Sequence, residues 1–188
     1  MTQAGINASG ISFSGFDEKK NAKFDLITTM NIYFEIEDNP RIKMELWNQS
    51  VQLWLKKCVY LRVYNNNPKR ATIAMYSTFL ISAFWHGFYF AYYVSFVQFA
   101  LVNNVTRYLY KASYKFEAFD GLGLRTLRWI VSTTTMNYIG GTFLLLLTDK
   151  IWKFYWNFYF AVSVWLVVAQ VFFMVTGWGQ RNVKGKNK

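Results

Sequence analysis

The chain has 188 residues, the length of one domain, and carries a net charge of +11 at pH 7. Hydrophobic residues make up 53% and aromatics 21% against only 16% charged, which argues against an ordinary soluble domain. Mean hydropathy is only +0.09, held down by Tyr and Trp, which favour membrane interfaces. The basic residues lie between apolar stretches with no recognition motif, so nucleic acid is not expected as a partner. A single cysteine, Cys58, excludes an intrachain disulfide. With only one histidine beside it, no protein metal site is expected.

The first fifteen residues lack a basic region followed by an apolar run, so they do not read as a signal peptide. Residues 1–40 are polar and punctuated by Gly5, Gly10 and Gly15, which predicts a surface loop segment with short ordered pieces. Within it, Asn31 to Glu35 reads as a short strand or extended segment. Asn39-Pro40 places proline in a first helical turn, and the spacing predicts one helix from Arg41 to Val63. Trp47, Val51, Trp54, Leu55, Cys58 and Val59 form its apolar stripe, and Asn65-Asn66-Asn67-Pro68 ends it.

Thr72 to Val102 is a stretch of 31 residues without Lys, Arg, Asp or Glu. It is long for one span and short for two, since roughly 20 helical residues cross the hydrocarbon core. A long tilted helix and two pieces broken near Gly87 both fit. Residues 103–128 read as a basic connecting region, Trp129–Thr148 as a span with Gly140-Gly141 for close packing, and Asp149 as the start of a short turn. Asn157–Thr176 reads as a further span. Trp152, Trp156 and Trp178 sit at the ends as an aromatic belt would place them. The fold class is therefore all-α, a polytopic helical membrane protein with residues 41–188 as its membrane-embedded domain. Arg107, Lys111, Lys115, Arg125 and Arg128, together with a basic tail from Arg181 to Lys188, put both regions on the cytosolic side. The ending Lys184-Gly185-Lys186-Asn187-Lys188 is similar to dilysine retrieval signals, which implies the endoplasmic reticulum membrane.

Two residues stand out for chemistry. His86, the single histidine, lies within the uncharged run, where an ionisable group is costly and hence a functional candidate. A neutral imidazole can take a proton from a hydroxyl near pH 7, although a hydrogen bond between helices is the plainer role. The Asn48 carboxamide can orient a reactant or donate to an oxyanion, or serve as an interfacial polar group. Ser82, four residues before His86, is a conceivable nucleophile but reads better as a small packing residue. The aromatic run from Trp85 to Phe96 fits a lipid-facing or core surface better than a ligand box. Asn7, Asn48 and Asn104 each open a glycosylation sequon, and the topology discounts all three.

Trp47-Asn48-Gln49, followed by Trp54 through Arg62, resembles the first signature of the membrane-bound O-acyltransferases. Ser82-Ala83-Phe84-Trp85-His86-Gly87 resembles the second. Gly15-Phe16-Asp17 and Asn31 to Glu35 look like the segment that precedes the Asn motif in the lysophospholipid acyltransferase branch. The resemblance implies a partial version of that family's multi-helix membrane chamber, with acyl-CoA as co-substrate and no metal or other cofactor. It implies His86 as general base towards a lysophospholipid hydroxyl and Asn48 as the orienting or stabilising residue. Trp47, Trp85 and Tyr89 are implied chamber-wall residues, and Arg62 an implied phosphate contact. Partners implied are acyl-CoA, lysophospholipid and membrane lipid. Family members are typically more than twice this length. A chain supplying further N-terminal helices, a non-catalytic subunit or fragment, and transfer to diacylglycerol, sterol or protein therefore stay open.

Overall fold

The computed structural model describes residues 3–28, 31–113 and 121–177. The C-terminal basic tail and Trp178 lie outside the described residues, as does Lys115. The polar segment at the start is more ordered than its composition predicts. A short helix, α1 (Gln3–Ala8), leads into an antiparallel hairpin of β1 (Phe13–Phe16) and β2 (Ala22–Phe24). Asp17 closes the turn, its carboxylate accepting from the backbone N–H groups of Lys19 and Asn21 at 2.9 and 2.7 Å. The fold is thus mostly helical rather than wholly so. The Asn31 to Glu35 segment is a 3-10 turn over Ile32–Phe34 rather than a strand, because the Asn31 side chain accepts from the Tyr33 N–H and winds the chain.

The predicted helix from Arg41 to Val63 is three helices. Asn39 caps α2 (Pro40–Leu46), its Oδ1 accepting from the Arg41 N–H at 3.0 Å, with Pro40 in the first turn as expected. The chain then leaves helical geometry at Trp47 and Asn48 before α3 (Gln49–Leu55). A π-turn, Lys56–Tyr60, joins α3 to α4 (Leu61–Tyr64), and Asn65 stops α4 in the left-handed conformation. Of the predicted stripe, Leu55 and Val59 are buried, whereas Trp47 and Trp54 are exposed. The break at Asn48 separates Trp47 from the rest of the stripe, and of the remainder only the edge with Leu55 and Val59 turns inward.

The uncharged run divides near Gly87, the second of the two sequence expectations. Here α5 (Ala71–His86) stops at Gly87 and α6 (Phe90–Ser113) begins three residues later. Gly87 sits at φ 126°, ψ −172°, a region that side chains with a Cβ avoid. The region read as a connector from 103 onward continues α6 to Ser113, and α7 (Leu122–Leu145) starts well before Trp129. The Asn103 and Asn104 side chains are taken up by hydrogen bonds to Met75 and Gln170, so their polarity does not end the helix. The predicted turn at Asp149 is α8 (Thr148–Asn157), with Asp149 in its first turn, where the carboxylate suits the helix dipole. The last described helix is α9 (Ala161–Thr176).

Helix α6 is the centre of the bundle, packed against α2, α5, α7, α8 and α9. Ala91, Val102, Tyr138, Ile139, Ile151, Tyr155 and Leu166 form the core. Gly141 gives the close approach expected of the glycine pair, since a Cβ there would lie 3.5 Å from the Phe154 ring, while Gly140 faces open space. No single described helix is long and apolar enough to cross a membrane; α8 and α9 together meet that test across a 79° bend. At 16 residues, α5 extends about 24 Å, short of the roughly 30 Å hydrocarbon core.

The Gly87 geometry sets a test. Replacing Gly87 by Ala meets no backbone clash, the nearest atom being a Tyr92 ring carbon at 3.6 Å, so the penalty is conformational. Thermal unfolding in detergent is expected to show a loss of about 1–3 kcal/mol. An unchanged midpoint would mean that the α5–α6 break does not need this conformation.

Candidate active site

Each half of the candidate site sits where a helix is interrupted. Asn48 takes the left-handed conformation, φ 45°, ψ 59°, at the junction of α2 and α3. Asn tolerates that region better than most residues. Its backbone carbonyl accepts from Gln52 at 3.1 Å, while its carboxamide makes no hydrogen bond to any described residue. The junction is tied down on both sides. The Asn31 N–H donates to the Leu46 carbonyl at 3.1 Å and the Trp47 N–H to the Lys43 carbonyl at 3.0 Å. Beyond Asn48, Ser50 and Thr28 exchange two bonds. The Ser50 N–H donates to the Thr28 carbonyl at 3.0 Å, and the Thr28 N–H to Ser50 Oγ at 2.8 Å. Trp47 rests on Phe34 with ring centroids 5.5 Å apart. A free amide side chain on a fixed backbone is what orienting a reactant requires.

His86 is the last residue of α5 and its imidazole is exposed on one side. On the other it meets a wall of rings: Trp85 at 4.9 Å, Phe143 at 5.1 Å, Phe96 at 5.3 Å and Tyr92 at 5.6 Å between centroids. Tyr92 in turn packs edge-on to Tyr89 at 5.9 Å. No described residue hydrogen-bonds either ring nitrogen. The aromatic contacts hold the ring in place without occupying its proton-carrying atoms, which leaves both nitrogens for a bound hydroxyl or thiol. Ser82 is buried on the same helix without a hydrogen bond to His86, consistent with packing.

Of the residues singled out in the sequence, Trp85, His86 and Tyr89 therefore meet in one aromatic cluster at the α5–α6 break. Trp47 and Asn48 meet at the α2–α3 break. No hydrogen bond or ring contact among the described residues joins the two groups. They share scaffolding instead, because α2 packs against α6 and α7 while α6 and α7 supply Tyr92, Phe96 and Phe143 to the histidine. Arg62 is exposed on α4 and contacts neither group through an ion pair. Asn104 is buried and donates to Gln170 at 2.9 Å, so that sequon is closed. Phe143 and Phe34 escaped sequence reasoning. Their partners lie far away in the chain, and no periodicity within one helix reveals such pairs.

The family profile for the membrane-bound O-acyltransferases matches residues 3–148. The chain belongs to the membrane-bound O-acyltransferase family. It is similar to a lysophospholipid acyltransferase of Schizosaccharomyces pombe, at 29% identity over 88% of this chain and 34% of that protein. It is also similar to lysophospholipid acyltransferase 6 of Drosophila melanogaster, at 30% identity over 87% of this chain and 22% of that protein. A third relative is membrane-bound glycerophospholipid O-acyltransferase 2 of Homo sapiens, at 33% identity over 84% of this chain and 30% of that protein. The chain thus spans about a third or less of the length of these relatives. Both candidate motifs of the family lie inside the matched region.

The Asn48 geometry separates backbone from side chain. Asn48→Gly keeps access to the left-handed conformation and removes only an amide without a hydrogen bond to a described residue, so stability is expected to stay within about 1 kcal/mol. Asn48→Val places a β-branched residue at positive φ and is expected to lose about 1–3 kcal/mol. Equal losses in both, read by thermal unfolding, would mean that the carboxamide is structural.

Proposed function

We propose that this chain carries the Asn/His centre of an acyl-CoA-dependent lysophospholipid acyltransferase, acting as a multi-pass protein in the endoplasmic reticulum membrane. The observation that carries the reading is the state of His86. In a chain of this family, the single imidazole stands at a helix break, fixed by four rings, with no hydrogen bond to a described residue. The names of the relatives support lysophospholipid as acceptor. The basic tail supports the location.

In the proposed reaction a ring nitrogen of His86 removes the proton from the glycerol hydroxyl of the lysophospholipid. The alkoxide oxygen attacks the thioester carbon of acyl-CoA and forms the new ester bond. The carbon–sulfur bond breaks, and the protonated His86 returns its proton to the departing coenzyme A thiolate. The carboxamide of Asn48 donates to the carbonyl oxygen as charge develops there, a contribution of order 3 kcal/mol where such donors have been removed from other enzymes. Trp47, Trp85 and Tyr89 are apolar walls for acyl chain and glycerol, and Arg62 pairs with a phosphate of either substrate. No metal or covalent intermediate enters this scheme.

A second reading is favoured by length. A chain covering 22–34% of its relatives works as one part of a larger catalytic assembly, with a further chain or segment supplying the remaining helices. One experiment decides between them. Membranes containing this chain are assayed for transfer from labelled acyl-CoA to a panel of lysophospholipids, beside His86→Ala and Asn48→Gly. Activity that falls at least 100-fold in both variants is the expected outcome. Activity that appears only when the rest of a relative's sequence is joined on supports the second reading. Activity that survives in His86→Ala removes the histidine from the mechanism.

A further inference from the structure

Lys43 is the largest fully buried side chain among the described residues, with only 1% of its surface exposed. Its ammonium donates to Thr133 Oγ1 of α7 at 2.6 Å and lies 5.6 Å from the centre of the Phe34 ring. The other face of that contact matters more. Phe34 also supports Trp47, and the Trp47 N–H is bonded to the Lys43 carbonyl. Lys43 therefore holds the Trp47-Asn48 junction twice, through its own backbone and through Phe34, while its side chain reaches out to α7.

Two neighbouring contacts fasten the same segment to the same helix. The Trp129 indole N–H donates to the Glu35 carbonyl at 2.7 Å, and Arg128 Nε to Asp38 Oδ2 at 2.9 Å. These two lie at the outer end of α7 and fix the segment before α2. Among the described residues, Lys43 makes the side-chain hydrogen bond to α7 that comes from α2 itself. Burial pushes its ammonium below the ordinary value, and the negative charges of Glu35, Glu37 and Asp38 pull it back up. A buried ion is destabilising unless its partners are kept, so displacement of Lys43 from Thr133 is costly. Thr133 and Phe143, which touches His86, stand on one helix, roughly 15 Å apart along its axis. A rigid helix therefore links the anchor of Asn48 to the wall of His86.

We infer that Lys43 is a positioning residue for Asn48, clamping the α2–α3 junction to α7 through Thr133 and Phe34 so that the free carboxamide keeps a fixed bearing relative to the histidine cage. The inference rests on the reading of Asn48 as a hydrogen-bond donor in the acyl-transfer reaction.

The test has one arm that needs no activity. Amide hydrogen exchange of the full chain in detergent is compared for wild type, Lys43→Met, Thr133→Val and Thr133→Ser. Lys43→Met keeps an unbranched apolar stem, and Thr133→Ser keeps the hydroxyl. The amides of Trp47 and Ser50 are expected to exchange at least tenfold faster in Lys43→Met and Thr133→Val. Those of Thr133→Ser should match wild type, and α5 should be unchanged in all. Unaltered exchange at Trp47 and Ser50, or the same acceleration along the whole chain, overturns the clamp. In the second arm, turnover should fall at least tenfold in the two disrupted variants with KM for acyl-CoA within twofold. Turnover equal to wild type despite the local loosening overturns the link to Asn48. A wild-type chain without activity is a failure of the proposed function, and the exchange arm still judges the clamp.

Discussion

The bundle is organised by hydrogen bonds that α6 makes inside an apolar surround. Ser95 meets Thr142 of α7 at 3.0 Å, Gln98 donates to Tyr155 of α8 at 2.7 Å and to Ser163 of α9 at 3.2 Å, and Asn104 donates to Gln170 of α9 at 2.9 Å. A buried polar group without a partner costs about 1–3 kcal/mol. Sliding α6 by one turn against α9 would break two of these bonds at once, and against α7 or α8 one. Apolar contacts alone tolerate such slips because they lack direction. The polar contacts thus set the register, and the register fixes where Tyr92 and Phe96 stand relative to Phe143. The site of His86 follows from it. One acceptor in this set, the Gln98 side-chain oxygen, is buried without a partner among the described residues.

Both candidate catalytic residues occupy interruptions rather than helix interiors. A side chain within a regular helix shares its surface with residues three and four positions away, so its exposed tip competes with close neighbours. At a break the backbone turns aside. Asn48 in the left-handed conformation and His86 beside Gly87 each gain room around their polar atoms without any loss of anchoring. The π-turn at Lys56–Tyr60 packs against α5 and continues the theme, since such widened turns are frequent near functional sites.

Much of this was legible in the sequence, and the reasons for the failures are physical. The absence of charge from Thr72 to Val102 located α5 and most of α6, and Gly87 beside His86 offered a break there as one of two readings, which the structure takes. Asn39-Pro40 marked the start of α2, and the run from Asn65 to Pro68 marked the end of α4. The break at Asn48 was not legible, because the apolar rhythm runs through it and left-handed geometry at one residue is imposed by distant bonds to Asn31 and Thr28. The β1–β2 hairpin was hidden for a similar reason, since a turn closed by one aspartate leaves little compositional trace. Of the site, the two motifs gave Asn48 and His86 their positions, while the rings that hold the histidine come from three helices. Lys43 gave no such signal: a lysine between Arg41 and Glu45 reads as a solvated charge, and its burial comes from Thr133 and Phe34, on other elements.

That lysine bears on what the family motif needs from its surroundings. A methionine at position 43 would fill nearly the same volume, but it would take the ammonium away from the carboxylates of Glu35, Glu37 and Asp38 and from the Thr133 hydroxyl, and removing one partner of such a buried set is destabilising. Lys43 therefore contributes stability and direction together. An ammonium bonded to one hydroxyl accepts only a narrow range of positions, whereas a thioether accepts many. The junction it secures carries an amide whose proposed work depends on angle as well as distance, and a misplacement of 1 Å can lower a rate by 100-fold. A contact that is precise in direction suits a residue that supports a reacting group as well as the fold.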